Sequence, residues 1–163
     1  MSVAIRAASQ ADLDALVAVL GQRDWFSDRL ARQRRGDGVL LVAWLGGHPA
    51  GDVYLACEPA EEPEVRRHLP GVPWLVHLEV LGRLQRRGIG TALVGAGEDA
   101  ARRLGHRRIA LAVGVENPGA RRLYERLGYA DWGRGTIVER WQELHGGRPV
   151  AVSETCDVLV KDL

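Results

Sequence analysis

A strand pattern, a glycine-containing loop and a helix pattern follow one another directly, and this order constrains the fold more than any other feature of the chain. The strand is predicted at residues 76–81, the loop at 85–91 and the helix at 88–104, with apolar residues three and four apart. Glycines at positions 88 and 90 let the backbone approach a ligand closely. The first N–H groups of a helix lack partners within it and, with the helix dipole, favour phosphate. The loop is therefore predicted to hold a diphosphate.

Two other phosphate-binding loops do not fit this sequence. A Walker A loop ends in Gly-Lys-Ser/Thr, whereas Gly88 is followed by Ile89 and Gly90, so hydrolysis of a nucleoside triphosphate is disfavoured. The dinucleotide fingerprint needs a small residue where Leu93 stands and an acidic residue where Gly114 follows the next strand. NAD binding is disfavoured for the same reason.

The remaining pattern resembles the coenzyme A loop of the GNAT family of N-acetyltransferases. The family motif Gln/Arg-x-x-Gly-x-Gly/Ala is met by Gln85, Gly88 and Gly90, and residues 116–129 are similar to its Asn-x-x-Ala-x-x-Leu-Tyr-x-x-x-Gly-Phe/Tyr signature. The close resemblance covers about residues 75–130. It implies a mixed α/β fold in the order β-α-α-β-β-β-α-β-α-β-β, whose central fourth and fifth strands are parallel and splayed.

The resemblance also implies a donor and its binding residues. The donor is acetyl-CoA as co-substrate, without a metal, and the residues expected to bind it along the loop are Gln85, Arg86, Arg87, Gly88, Ile89, Gly90 and Thr91. The backbone N–H of Val80 would face the thioester, where one fixed donor can stabilise an oxyanion by ~3 kcal/mol. Asn117 would contact the pantetheine arm, and it is also typical of a helix cap before a proline. Tyr124 would donate a proton to the departing thiolate, because a phenol is protonated at neutral pH.

An amine acceptor needs help to lose its proton, since deprotonating a lysine-like amine at pH 7 costs about 4.6 kcal/mol. Strand alternation places His77 and Glu79 on one face of the fourth strand, with Val76, Leu78 and Val80 on the other. Glu79 is the candidate base and His77 a candidate relay. The alternative is a polar pair on a half-covered sheet face.

The acceptor itself is not identified by the sequence. Aromatic and acidic residues that suit a cationic amine lie in the segments that line the acceptor side in this family, namely Trp25, Phe26, Glu61, Glu62 and Trp74. A small molecule or a peptide amine fits these residues equally. A non-catalytic module that senses acyl-CoA is the main alternative function, and an enzyme that uses a longer acyl group or an oxygen acceptor is a third.

Composition excludes several other classes. The chain of 163 residues is expected to form one domain, and its net charge of +1 gives no field that favours nucleic acid or an anionic membrane. Its two cysteines lack the spacing of a zinc site or a disulfide framework. No apolar run reaches the ~18 residues of a membrane span, so a cytoplasmic protein is expected. A homodimer is left open.

The outer regions carry weaker signals. Ser9 followed by Asp12 predicts a capped helix, and the run Gly46-Gly47-His48-Pro49 predicts a hairpin between strands at 39–45 and 50–57. The other predicted elements are a strand at 3–7, a helix at 24–35, a short helical turn at 65–68, a strand at 107–113, a helix at 119–127 and strands at 136–141 and 156–160.

Overall fold

The computed structural model describes residues 2–163, which form two compact units. The first unit runs to Ile109 and includes Asp162–Leu163, and the second is Ala110–Lys161. In the described part of the chain, no helix has the length and apolar character needed to cross a membrane.

Four antiparallel strands form the sheet of the first unit. In their spatial order they are β1 (Val3–Ala7), β2 (Gly38–Leu45), β3 (His48–Ala56) and β4 (Trp74–Val80). Gly46 and Gly47 connect β2 to β3 with φ angles of +59° and +80°, as a two-residue turn with two left-handed positions requires. The predicted hairpin is confirmed, but His48 and Pro49 belong to β3 because two glycines suffice for the turn.

Helices cover both faces of this sheet. They are α1 (Leu13–Leu20), α2 (Arg23–Arg34), α3 (Pro63–His68) and α4 (Ile89–Arg103). The Ser9 N–H donates to the Asp12 carboxylate at 2.8 Å, so the predicted capping box precedes α1. On the α1 and α2 side, the core contains Leu16, Phe26, Leu30, Leu40, Val42 and Tyr54. On the opposite side α4 packs closely, since a Cβ built at Gly97 would lie 2.5 Å from Leu75 Cδ2.

The second unit consists of one helix and four strands. They are β5 (Arg108–Gly114, whose first two residues belong to the first unit), α5 (Pro118–Arg126), β6 (Ala130–Asp131), β7 (Ile137–His145) and β8 (Arg148–Asp162). Strand β8 lies next to β5 and pairs antiparallel with both β6 and β7. Gly146 and Gly147 form the β7–β8 turn with φ angles of +59° and +81°.

The predicted mixed α/β class is confirmed. The helical turn predicted at 65–68 is part of α3, and β6 is added to the predicted order. The predicted ends of the last two strands, 141 and 156, are wrong because β7 and β8 continue to the turn at 146–147. Most residues of this extension are exposed, so they lack the apolar alternation by which a half-buried strand is recognised.

Candidate active site

Strand β4 contains a bulge at the position of the predicted relay, His77, just before the predicted base. Tyr54 pairs with Val76 and Asp52 pairs with Glu79, so the two residues 77 and 78 face the single residue Val53. Residue 77 has a φ of +60°, in the left-handed region that glycine usually occupies in such a bulge. A side chain there costs about 1 kcal/mol or more, so other contacts must hold the conformation.

The bulge corrects the predicted faces of β4. Directly paired residues of antiparallel strands point to the same face, which puts Val76 with Tyr54 and Glu79 with Asp52. Asp52 and Tyr54 are two residues apart in β3 and therefore share one face. Val76 thus lies on the same face as Glu79, and the prediction that it lies on the opposite face is wrong because the extra residue resets the alternation.

His77 is held on this face by contacts from three elements. Its Nδ1 lies 2.9 Å from Asp52 Oδ2, and its Nε2 lies 2.9 Å from Gln22 Oε1 and 3.3 Å from Glu79 Oε1. Its ring stacks on Trp25 with centroids 3.8 Å apart and planes inclined by 24°. The two predicted residues, His77 and Glu79, are therefore brought together, with Gln22 and Trp25 beside them.

Asp52 is the member of this cluster that sequence reasoning missed. Its side chain is 1% exposed, and burial raises the pKa of its carboxyl against the opposing effect of the hydrogen bond to His77. Within residues 2–163 its second oxygen, Oδ1, has no hydrogen-bond partner. The signal was present in the sequence, because Asp52 is the one carboxylate in the otherwise largely apolar strand His48–Ala56.

Glu79 differs from Asp52 in exposure. Its side chain is 55% exposed, and the Gln22 amide donates to its Oε2 at 3.4 Å. The cluster therefore combines a buried carboxylate, an imidazole that is 16% exposed and a solvent-facing carboxylate in sequence across one face of the sheet. With this arrangement, the exposed Glu79 can accept a proton from solvent, and His77 lies between it and the buried Asp52.

The glycine loop has the geometry expected of an anion cradle. Gly88 is the N-cap of α4 with a φ of +81°, and its carbonyl accepts the Ala92 N–H as the first intrahelical bond. The N–H groups of Ile89, Gly90 and Thr91 therefore have no hydrogen-bond acceptor within the helix. Among residues 2–163, a Cβ built at Gly90 would meet only Val80 Cγ2, at 3.9 Å, so packing within the described chain does not require glycine there.

The side chains of the loop divide into two groups. Gln85 Nε2 donates to the Val80 carbonyl at 3.2 Å, which ties the loop to the end of β4. Arg86 and Arg87 are exposed, and neither has an acidic partner within 4.0 Å in the described part of the chain. These two guanidinium groups are available to a phosphate ligand.

The Val80 backbone N–H is not used in pairing with β3. The Leu81 N–H bonds to the Ala50 carbonyl on β3, and hydrogen-bonded and non-hydrogen-bonded pairs alternate along an antiparallel ladder. Val80, paired with Gly51 one step earlier, therefore directs its N–H away from β3. Contact of this N–H with a thioester stays a prediction.

The second unit carries the other two predicted residues. Asn117 caps α5, where its Oδ1 accepts the Ala120 N–H at 3.2 Å, so the cap reading is confirmed. Tyr124 is half-buried and meets Tyr129 edge to face with centroids 6.0 Å apart. Burial raises the pKa of the Tyr124 phenol, which keeps it protonated at neutral pH.

The expected acceptor residues differ in accessibility. Trp25 is partly exposed beside His77, and Glu61 is exposed in the loop before α3 with Glu62 half-buried next to it. Phe26 is fully buried and Trp74 is 8% exposed, so both pack in the core. Both rings were predicted to contact the acceptor. Their burial does not support that role, which stays a prediction. Residues 2–163 contain no group of His, Cys, Asp or Glu side chains placed to hold a metal ion.

The family assignment follows from comparison with known proteins. The model of the acetyltransferase (GNAT) family matches residues 6–129, most of the chain, and the chain belongs to this family. An uncharacterised N-acetyltransferase of Methanocaldococcus jannaschii is 34% identical over 108 residues, or 66% of the chain. The match spans 45% of that relative's length.

Solved structures share the fold over nearly the whole chain. PaiA N-acetyltransferase of Thermoplasma acidophilum, determined with coenzyme A, has a TM-score of 0.69 at 16% identity and covers 100% of both chains. Ribosomal-protein-alanine N-acetyltransferase of Brucella melitensis has a TM-score of 0.70 at 21% identity and covers 98% of this chain and 99% of its own. At these identities the similarity concerns the fold alone.

Proposed function

We propose that the protein transfers the acetyl group of acetyl-CoA to a primary amine by direct attack in a ternary complex. The observation that carries the proposal is the loop that begins α4, in a chain that belongs to the GNAT family. The fit of coenzyme A to that loop is supported by geometry. Gly90 leaves space that no protein atom fills, and Arg86 and Arg87 place positive charge beside it.

The diphosphate would accept hydrogen bonds from the first N–H groups of α4. A glycine in a helix costs about 1 kcal/mol relative to alanine, so Gly90 is unfavourable for the protein alone. The cost is explained if a ligand occupies the volume of the missing Cβ. Gln85 keeps the loop in place through the Val80 carbonyl, and its side chain has a shaping role besides any contact with the ligand.

Proton removal from the amine would occur at Glu79, with His77 as its neighbour. The exposed carboxylate can meet an acceptor from solvent, and His77 Nε2 is 3.3 Å from Glu79 Oε1. As the amine nitrogen bonds to the thioester carbon, the carbonyl oxygen becomes an oxyanion. The Val80 N–H, which points away from β3, is the proposed donor to it.

Collapse of the tetrahedral intermediate breaks the carbon–sulfur bond and releases a thiolate. We assign its proton to Tyr124, whose phenol is kept protonated by burial. This assignment follows the family resemblance, as does contact of Asn117 with the pantetheine arm. The acceptor class is a primary amine of a small molecule or a peptide, and a cytoplasmic location and a homodimer stay predictions.

The test is coenzyme A release from acetyl-CoA in the presence of an amine panel. The panel contains polyamines, aminoglycosides, amino acids and peptides with free N-termini, and acetyl-CoA binding is measured separately by calorimetry. Turnover above background with one class supports the enzyme and names its acceptor. Binding of acetyl-CoA without turnover across the panel would favour the sensing module instead.

A further inference from the structure

Asp52 is buried in a way that the packing of the protein does not explain. Its Oδ1 has no hydrogen-bond partner among residues 2–163, and its Oδ2 bonds to His77 Nδ1 at 2.9 Å. A buried carboxylate is costly unless its charge is compensated. His77 is the group placed to compensate it, and that residue is itself held at a φ of +60°. The buried carboxylate of Asp52 and the left-handed backbone of His77 are both unfavourable, and the hydrogen bond between these residues offsets both.

We propose that Asp52 is the positioning residue that makes His77 the final acceptor of the amine proton. The proposal rests on the function proposed above and adds to it a destination for the proton taken by Glu79. Glu79 alone would have to release its proton to solvent beside the bound acceptor. His77 Nε2, at 3.3 Å from the carboxylate, offers a site from which the proton does not return.

The proton balance requires two states of the Asp52–His77 pair. Before transfer, the neutral imidazole carries its proton on Nδ1 and donates it to the Asp52 carboxylate, leaving the Nε2 lone pair free. After transfer, Nε2 carries the amine proton, and the imidazolium donates from both ring nitrogens. Glu79 returns to its carboxylate form, and the ammonium has become the neutral amine that attacks. A second proton leaves the nitrogen to solvent as the amide forms, while Tyr124 recovers from solvent the proton that it gave to the thiolate.

The Nε2 contact in the structure fits a protonated Nε2, as the second state requires. Nε2 lies 2.9 Å from Gln22 Oε1, a carbonyl oxygen that accepts only from a protonated nitrogen. In the first state Nε2 has no proton to donate, so its contact with Gln22 Oε1 is lost and the Gln22 amide must move away from the free lone pair. The Gln22 side chain is exposed, and moving it also breaks the hydrogen bond from its amide to Glu79 Oε2 at 3.4 Å.

Two carboxylates, an amide and an indole surround His77. The groups that face it are the carboxylates of Asp52 on β3 and Glu79 on β4, the Gln22 amide, and the Trp25 ring on α2. Behind the indole, the guanidinium carbon of Arg29 lies 4.9 Å from the Trp25 ring centroid, a cation that opposes them from a greater distance. Removing the Asp52 charge therefore takes away the anion that lies 2.9 Å from Nδ1.

The kinetic test compares wild type with Asp52→Asn, which keeps an oxygen for Nδ1 and removes the charge. We expect kcat to fall at least roughly tenfold with the KM for acetyl-CoA unchanged, since a weaker base takes the proton. The rising limb of the pH–rate profile should move to lower pH, because the imidazolium loses its stabilising partner. Asp99→Asn, the same charge change at an exposed position on α4, should leave the limb in place.

A limb that stays in place while kcat falls equally at every pH would overturn the proposal and leave Asp52 with a structural role. Long-range ¹H–¹⁵N NMR of the wild-type protein gives a test that needs no substrate. We expect His77, identified by loss of its signals in His77→Gln, to be protonated on Nδ1 when neutral. A neutral ring protonated on Nε2 would also overturn the proposal.

The two measurements separate this inference from the proposed function. If no amine is acetylated, the proposed function fails, while the NMR spectrum still decides whether Asp52 fixes the tautomer of His77. If an amine is acetylated and the ring is protonated on Nε2, the function stands and this inference alone fails. The NMR measurement uses only wild-type protein and a variant that serves for assignment, so misfolding of Asp52→Asn does not prevent a decision.

Discussion

Gly90→Ala should stabilise the protein and weaken its binding of acetyl-CoA, two effects of opposite sign from one methyl group. Gly90 is the second residue of α4, where glycine is less favourable than alanine. The added Cβ would meet Val80 Cγ2 at 3.9 Å, an ordinary van der Waals contact, so the fold tolerates it. The same Cβ enters the space proposed for the diphosphate.

The magnitudes follow from these two environments. Replacing a helical glycine by alanine without strain contributes roughly 0.5–1 kcal/mol to the free energy of unfolding. For a protein of this size that raises Tm by about 1–4 °C. Displacing the diphosphate from the backbone donors should lower the affinity at least tenfold, or ~1.4 kcal/mol.

The assay pairs thermal unfolding with calorimetric titration of acetyl-CoA. Gly95→Ala is the matched control, because Gly95 lies in the same helix and a Cβ there meets no atom within 4 Å. It should raise Tm similarly and leave the affinity unchanged. Gly97→Ala should instead lower Tm, since its Cβ would lie 2.5 Å from Leu75 Cδ2.

Unchanged affinity in a folded Gly90→Ala protein would refute the reasoning. The diphosphate would then not approach the first turn of α4 closely enough to meet a methyl group. Equal losses of affinity in Gly90→Ala and Gly95→Ala would point to an indirect effect of helix stability, and would refute it as well.

Three further predictions concern protons. Tyr124→Phe should lower turnover by roughly 10²-fold while the calorimetric affinity for acetyl-CoA stays unchanged, and a change within twofold would make Tyr124 structural. Glu79→Gln should lower turnover most near neutral pH and progressively less in alkaline buffer, and a deficit that is independent of pH would assign Glu79 to acceptor binding. The hydrogen bond from Arg6 lowers the pKa of Asp12 to about 2 from 3.8, so the carboxylate stabilises the fold above about pH 4, and this contribution is lost as the pH falls through about 2. Because Arg6 is 53% exposed, we expect Asp12→Asn to cost only about 1 kcal/mol in urea unfolding at pH 6 and less at pH 2.5, and an equal cost at both would contradict the assignment.

The sequence was sufficient where local rules decide the structure. A capping box begins the first helical segment at Ser9, and a glycine pair turns the chain at Gly46. The same turn at Gly146 was not recognised, although its φ angles are nearly identical. The difference lies in the flanking strands, which are apolar and buried around Gly46 but largely polar and exposed around Gly146. An exposed strand shows no alternation of apolar and polar residues, and backbone pairing between strands does not by itself select particular residue types.

The candidate site was predictable only in part for a different reason. His77 and Glu79 were identified because both lie on one strand next to the loop. Asp52 belongs to another strand, and its contact with His77 depends on register across 25 positions of the chain. The bulge depends on the same register, because two residues facing one is a property of a pair of strands. Neither feature is visible in β4 alone.

The bulge at residues 77 and 78 has a consequence for how related chains are aligned. One extra residue changes the parity of the strand, so that Glu79 faces α1 and α2 while Val80 faces away from them. Deleting either residue would exchange these two orientations without changing the amino acids that follow. A one-residue gap placed here by an alignment therefore changes which side chain, that of Glu79 or that of Val80, faces α1 and α2. A homologue that keeps the glutamate but lacks the bulge would present it to the opposite side of the sheet.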